Sequence, residues 1–100
     1  MIVKILPSAK QDLRDGFTFY ERQADGLGTY FLDTLLADID SLSLFAGIHT
    51  RRGQHHRFIS KRFPYWIYYR IEHDIVFVSA ILDARQNPLR ISRREMDEPE

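Results

Sequence analysis

Tyr65-Trp66-Ile67-Tyr68-Tyr69-Arg70-Ile71-Glu72-His73-Asp74-Ile75-Val76-Phe77-Val78-Ser79-Ala80-Ile81-Leu82 is the stretch that decides the fold. Its first seven residues are mostly β-branched or aromatic, which suits a half-buried pleated strand. Alternation puts Ile67, Tyr69 and Ile71 on one face and Trp66, Tyr68 and Arg70 on the other. Glu72-His73-Asp74 reads as a hairpin turn. The run from Ile75 to Leu82 is apolar on both faces, as a central strand covered on both sides would be. Just upstream, Arg57-Phe58-Ile59-Ser60-Lys61 predicts a further strand, turned by Arg62-Phe63-Pro64.

Toward the N-terminus the period changes. Ile2 to Leu6 predicts a short strand that Pro7 ends, and Pro7 with Ser8 makes a helix start, Ser8 as its cap. Leu13, Phe17, Tyr20 and Ala24 then form one apolar helical stripe. Gly16 either weakens that helix or permits close packing. Asp25-Gly26-Leu27-Gly28 breaks it, and a second helix is expected over residues 29–45, with Phe31, Leu32, Leu35, Ile39 and Leu42 on one side. So short a connection predicts an antiparallel helical hairpin. The aromatic positions in both stripes are read as core rather than as a cofactor box.

The expected order is thus β-α-α-β-β-β, an α+β fold. An N-terminal strand, a helical hairpin and a meander predict a mainly antiparallel sheet with both helices on one face. Asn87-Pro88 closes the last ordered element, giving one domain over residues 1–88. A charged C-terminal tail follows over 89–100, with Arg90, Arg93 and Arg94 ahead of Glu95, Asp97, Glu98 and Glu100. Its sparse apolar content predicts a mobile end, or one that orders on binding.

The chain has 100 residues, 44% of them hydrophobic and 28% charged, within the range of a single globular domain. Without cysteine, disulfides and thiolate metal sites are excluded. The N-terminal apolar segment is too short for a signal peptide, and the longest apolar run is far below the roughly 20 residues that span a bilayer. A soluble cytoplasmic protein with no membrane contact is therefore expected. The net charge is zero, but unevenly laid out. Residues 1–47 carry half of the acids, Asp12, Asp15, Glu21, Asp25, Asp33, Asp38 and Asp40, against Lys4, Lys10, Arg14 and Arg22. From Ile48 to Ile71 there is no acid at all, while Arg51, Arg52, Arg57, Lys61, Arg62 and Arg70 are present. Such a stretch favours an anionic partner, nucleic acid or an acidic protein segment; the plainer reading is a solvated sheet face balanced by acids on the helices.

Other chemical signals are weak. His55 and His56 are adjacent, so their rings point to opposite faces of a strand, and neither they nor His49 and His73 come with metal-ligand spacing. No metal and no cofactor is expected. Ser60, His56 and Asp83 could be drawn as a hydrolase triad, but no nucleophile elbow surrounds any serine. Gly26 and Gly28 suit an interhelical turn better than a phosphate cradle. Asp83 is read as the partner of a local cation.

Four pieces of local wording, in order, resemble the RelE/ParE superfamily of toxins from type II toxin–antitoxin systems, the ParE branch more than the RelE branch. They are Pro7-Ser8-Ala9-Lys10-Gln11-Asp12-Leu13, then Gly26-Leu27-Gly28 followed by Phe31-Leu32, then Phe63 to Ile71, then Ile75 to Pro88. The resemblance implies a small growth-arresting toxin, of the plasmid-stabilisation type, neutralised by a cognate antitoxin in a hetero-oligomer. An amphipathic antitoxin segment would lie against the helical hairpin and along a sheet edge.

Two mechanisms are implied. RelE-like members are ribosome-dependent mRNA endoribonucleases, which activate a ribose 2′-hydroxyl using clustered Lys and Arg with a C-terminal Tyr. Here Arg57, Lys61 and Arg85 match basic positions of that set, Ile59 and Trp66 replace two others, and Pro88 and Leu89 stand where the Tyr is expected. ParE-like members bind DNA gyrase and perform no bond chemistry. Phe63-Pro64-Tyr65 and Arg85-Gln86-Asn87-Pro88 resemble that branch, which the residues favour. The expected target-binding residues are Arg57, Lys61, Trp66, Arg85, Arg90, Arg93 and Arg94, since Trp and Arg are common interface anchors. Trp66 and Tyr68 beside cations also suit base stacking, or packing under the antitoxin or the tail.

Overall fold

A computed structural model describes residues 1–85. The chain order is β1 (Ile2–Ile5), α1 (Pro7–Glu21), α2 (Leu27–Asp40), α3 (Leu42–Phe45), β2 (Thr50–Arg52), β3 (His55–Ile59), β4 (Tyr65–Glu72) and β5 (Ile75–Asp83). The sheet has five strands in the order β1-β5-β4-β3-β2. β1 runs parallel to β5, and the other three pairings are antiparallel. The expected α+β arrangement holds, with one strand more than expected: Thr50–Arg52 pairs with His55–Arg57 at the edge of the sheet. The expected domain end at residue 88 and the tail over 89–100 lie outside the described residues.

The β4–β5 hairpin is made as its sequence suggests. His73 and Asp74 both adopt positive φ, 50° and 63°, the two-residue geometry whose twist matches the flanking strands. The helix-side core gathers Ile67 and Tyr69 from β4, Val76, Val78 and Ile81 from β5, Leu13 and Tyr20 from α1, and Phe31, Leu35 and Ile39 from α2. Tyr20, Phe31, Phe63 and Tyr65 interlock at its centre, with ring centroids 4.9 to 6.2 Å apart.

β1 is shorter than its neighbour, so the second half of β5 lacks a strand on that side. Helix α1 takes over. The Ser8 hydroxyl donates to the Ser79 carbonyl at 3.1 Å, and the Asp12 carboxylate accepts from the Ile81 amide at 2.9 Å. Four residues apart, these two side chains share one helix face. Ser8 is therefore not a helix cap: the cap position is Leu6, with Pro7 in the first turn. Near the same place the β4–β5 register slips between Tyr68 and Tyr69, so that Ser79 bulges.

The helices approach more closely than any side chain at two glycines would allow. A Cβ on Gly16 would lie 2.4 Å from the Phe31 ring, and one on Gly28 would lie 2.6 Å from the Phe17 carbonyl oxygen. Gly26, at φ 86°, turns the chain, and Glu21 reaches back to accept from the amides of Gly26 and Gly28 at 3.0 and 2.9 Å. One carboxylate thereby accepts from the cap amide and one first-turn amide of α2, whose amides would otherwise lack partners. The expected single helix over 29–45 is instead two: α2 stops at Asp40, and Ser41 donates its hydroxyl to the Asp38 carbonyl at 2.6 Å before α3 begins.

Substituting Gly28→Ala should cost about 1–3 kcal/mol, because a backbone carbonyl cannot swing aside as a side chain can. Urea unfolding checks it: the midpoint should fall with the slope unchanged, whereas an unmoved midpoint would mean that the helices have room to separate.

Candidate functional site

The face of the sheet away from the helices is set by the same alternation. Arg57 lies across from Thr50 on β2 and Tyr68 on β4, and Tyr68 lies across from Ala80. One pair along, Ile59 opposes Trp66, which opposes Leu82. On the other side Arg52 pairs with His55, while Arg70, Phe77 and Lys4 line up across β4, β5 and β1. This face thus carries Lys4, Arg52, His55, Arg57 and Arg70 together with Trp66 and Phe77.

Two aromatic rings bear guanidinium groups. The Arg57 Cζ sits 4.3 Å from the Trp66 ring centroid, and that of Arg70 sits 4.8 Å from Phe77. The ring quadrupole attracts the cation and holds a flexible side chain in place. Trp66 also packs on a small second core of Tyr68, Ala80 and Leu82. Tyr68 is fully buried there, its hydroxyl without a hydrogen-bond partner among the described residues.

Two of the cations are engaged by the chain's own carboxylates. Arg70 is buried and its Nε donates to Glu72 at 2.6 Å. Arg85 is committed to Asp83: its Nε and Nη2 donate to the two carboxylate oxygens at 2.9 and 2.8 Å, and its backbone amide adds a third bond at 2.9 Å. The guanidinium holds the Asp83 carboxyl below the usual carboxylate range, and the carboxylate raises Arg85 in turn. Asp83 pairs across from Tyr65, a helix-side core residue whose hydroxyl burial pushes up. Arg85 is thereby held near that end of β4 and β5.

Of the expected site residues, the structure brings Arg57 and Trp66 into contact. Lys61 is exposed in the connection after β3, because the strand ends at Ile59. Ser60 turns inward there, donating its hydroxyl to Asp38 at 2.7 Å and its amide to the Tyr65 carbonyl at 2.9 Å. Arg90, Arg93 and Arg94, like Pro88 and Leu89, lie outside the described residues. Arg52, read only as part of the acid-free basic stretch, and Lys4, which was not singled out, join the face. Among the described residues no group of three or more His, Cys, Asp or Glu is placed to hold a metal ion. No helix of the described part is long and apolar enough to cross a membrane.

A second surface faces the opposite edge. Val3 and Ile5 of β1 and Leu36, Ala37, Ile39 and Asp40 of α2 line a groove of about 410 Å³. Near it lie α3 and the N-terminus, the Met1 ammonium donating to the Ser43 carbonyl at 2.9 Å. Leu44 and Ile48 are 81% and 74% exposed.

Fold and surface together define a small α+β domain with a cationic, aromatic sheet face and an apolar groove at its edge. The sequence model of the ParE toxin of type II toxin–antitoxin (parDE) systems matches residues 3–88, and the chain belongs to that family. No curated protein sequence matches it. Among solved structures it is similar to one described as the chromosomal ParDE toxin–antitoxin system from P. aeruginosa. That likeness has TM-score 0.76 at 15% identity, covering 85% of this chain and 97% of the other. It is also similar to the isolated RelE toxin of E. coli, with TM-score 0.63 at 14% identity, covering 95% and 96%. At such identities the likeness is one of fold.

The Asp83 shift has a sign that can be checked. A carboxyl held low in the folded state stabilises above its ordinary value of 3.8, and that contribution is lost as pH falls through the lower folded value. Between about pH 5 and pH 2 the wild type should lose thermal stability more steeply than Asp83→Asn. At neutral pH the two should differ by no more than about 1 kcal/mol, because Arg85 is largely in water.

Proposed function

We propose that this chain is the toxin of a type II pair, neutralised by a cognate antitoxin, and that its target is DNA gyrase, on which it acts by binding without bond chemistry. The observation that carries this reading is the splitting of the cations that a 2′-hydroxyl cleavage would need. Arg57 is on the sheet face, Lys61 is beyond the strand end, and Arg85 is bonded to Asp83. Cleavage needs a base, charge stabilisation and an acid converging on one phosphate, whereas here Arg57 is laid on Trp66, Lys61 lies past the end of β3 and Arg85 is engaged by Asp83. A binding surface has no such requirement: a rigid Trp with an Arg laid across it is a ready anchor.

Arg57 and Trp66 are the proposed centre of target contact. Lys61, Arg85 and the tail arginines Arg90, Arg93 and Arg94 are proposed around it. The groove between β1 and α2 is proposed to take the antitoxin, as an amphipathic segment that buries Leu36 and adds backbone bonds along the free edge of β1. Toxin and antitoxin would form a hetero-oligomer in the cytoplasm. The alternative, a ribosome-dependent endoribonuclease, draws support from the same Trp66, whose flat ring beside Arg57 suits stacking on an mRNA base.

Supercoiling by gyrase and translation by ribosomes, each with added toxin, separate the two readings. Inhibited supercoiling with intact mRNA is expected, and codon-positioned mRNA cuts with unaffected gyrase would overturn the assignment. Arg57→Ala and Trp66→Ala should each weaken gyrase inhibition about tenfold or more, the effect of losing an interface anchor. Leu36→Lys should weaken antitoxin capture while leaving that inhibition unchanged.

A further inference from the structure

Tyr69, His49 and His56 form a hydrogen-bonded cluster on the helix side of the sheet that plays no part in the proposed target surface. Tyr69 is fully buried on β4. Its hydroxyl lies 2.9 Å from the Gly47 amide and 2.6 Å from His49 Nδ1, while His56 Nδ1 lies 3.1 Å from the His49 carbonyl. The rings are packed: His49 stacks on Phe58 with centroids 4.3 Å apart, and His56 stacks on Tyr69 at 5.0 Å. The cluster straddles the connection between α3 and β2. Beyond it β2 is held by three residue pairs to β3, with all three of its residues exposed.

The bonding pattern fixes where the protons are. A backbone N–H only donates, so the Tyr69 oxygen accepts from Gly47. A hydroxyl has one proton to give, and it goes to His49 Nδ1, which must be bare. His49 is thus neutral with its proton on Nε2. A carbonyl only accepts, so His56 carries its proton on Nδ1.

We propose that this cluster is a proton-operated latch: neutral His49 pins the α3–β2 connection and β2 to the sheet, and a proton on His49 releases them. Protonated at Nδ1, His49 becomes a second donor to the same hydroxyl oxygen, and the Tyr69 proton loses its acceptor inside the core. A buried donor without a partner is costly. The charged and titratable groups around His49 add nothing to offset this. His56 faces it from β3, Arg51 neighbours His56 from β2, β4 supplies Tyr69, and α3 contributes none; Arg70 and Glu72 share a cleft with His56. Glu72, the carboxylate of the cleft formed with Arg51, His56 and Arg70, already accepts from Arg70. Burial first, and then His56, hold His49 below its ordinary value of 6.5. In the window between those two values the unfolded segment binds more protons than the folded one, so the latch weakens as pH falls below 6.5 and loses nothing above it. Opening would free Arg51 and Arg52 from the sheet, altering the cationic face.

The test is an imidazole ¹⁵N titration of the full chain, combined with hydrogen exchange of the Gly47 amide. His49 should be the Nε2–H tautomer at neutral pH and should titrate below its ordinary value of 6.5. Protection of Gly47, corrected for the intrinsic pH dependence of exchange, should fall as His49 protonates. The fall should be about tenfold per unit by which His49 titrates under its ordinary value. In His49→Gln protection should not vary with pH, whereas His73→Gln should keep the wild-type fall. The proposal is overturned by an Nδ1–H tautomer at His49, or by Gly47 protection that is equal on both sides of its titration. Both readings come from the wild-type chain, so a variant that fails to fold does not remove the test.

Discussion

The structure depends on the side-chain alternation of β4, held from Trp66 to Ile71. Ile67, Tyr69 and Ile71 enter the core under the helices, which obliges Trp66, Tyr68 and Arg70 to face the other way. A one-residue slip would exchange the two sets and turn Arg70 into the core. The composition of the outer face follows from that division. Arg57 meets Trp66 because β3 keeps the same alternation, and His56 and Phe58 consequently point inward to Tyr69.

A second constraint is the length of β1. It ends at Ile5 while β5 continues to Asp83, and the polar backbone left bare cannot stay buried unpaired. Ser8 and Asp12 supply the missing partners from α1, which fixes the height at which the helical hairpin crosses the sheet. The glycines at 16 and 28 then let α2 close onto α1. The free outer edge of β1, with the apolar groove beside it, is the other consequence, and it is why an extended partner segment is proposed there.

Most of the fold was legible in the sequence, because it is carried by local periodicity. The alternation in residues 65–71, the doubly apolar run from Ile75, and the stripe from Leu13 to Tyr20 each state their burial directly. β2 was missed because Thr50-Arg51-Arg52 is exposed throughout and lacks an apolar face to betray it. The break at Ser41 was missed because apolar spacing runs on through Leu42, which is buried although α2 has ended. Ser8 was misjudged for a different reason: a serine next to a helix start looks like a cap, and only the short β1 gives it other work. At the candidate site, Trp66 and Arg57 could be named from residue type. The bidentate Asp83–Arg85 pair was half visible in their spacing. No local pattern announced that Tyr69, a core residue by every sequence criterion, would have its hydroxyl bonded to His49, twenty residues away.

The central claim is that the two faces of one sheet divide the labour: helices and groove for the antitoxin, and the Arg57–Trp66 surface for the target. Hydrogen exchange on the toxin bound to gyrase tests that division most directly. The account predicts new protection concentrated on β3 and β4, with amides of α2 and β1 unchanged. Protection confined to α1 and α2, with β3 and β4 exchanging as in the free protein, would contradict it.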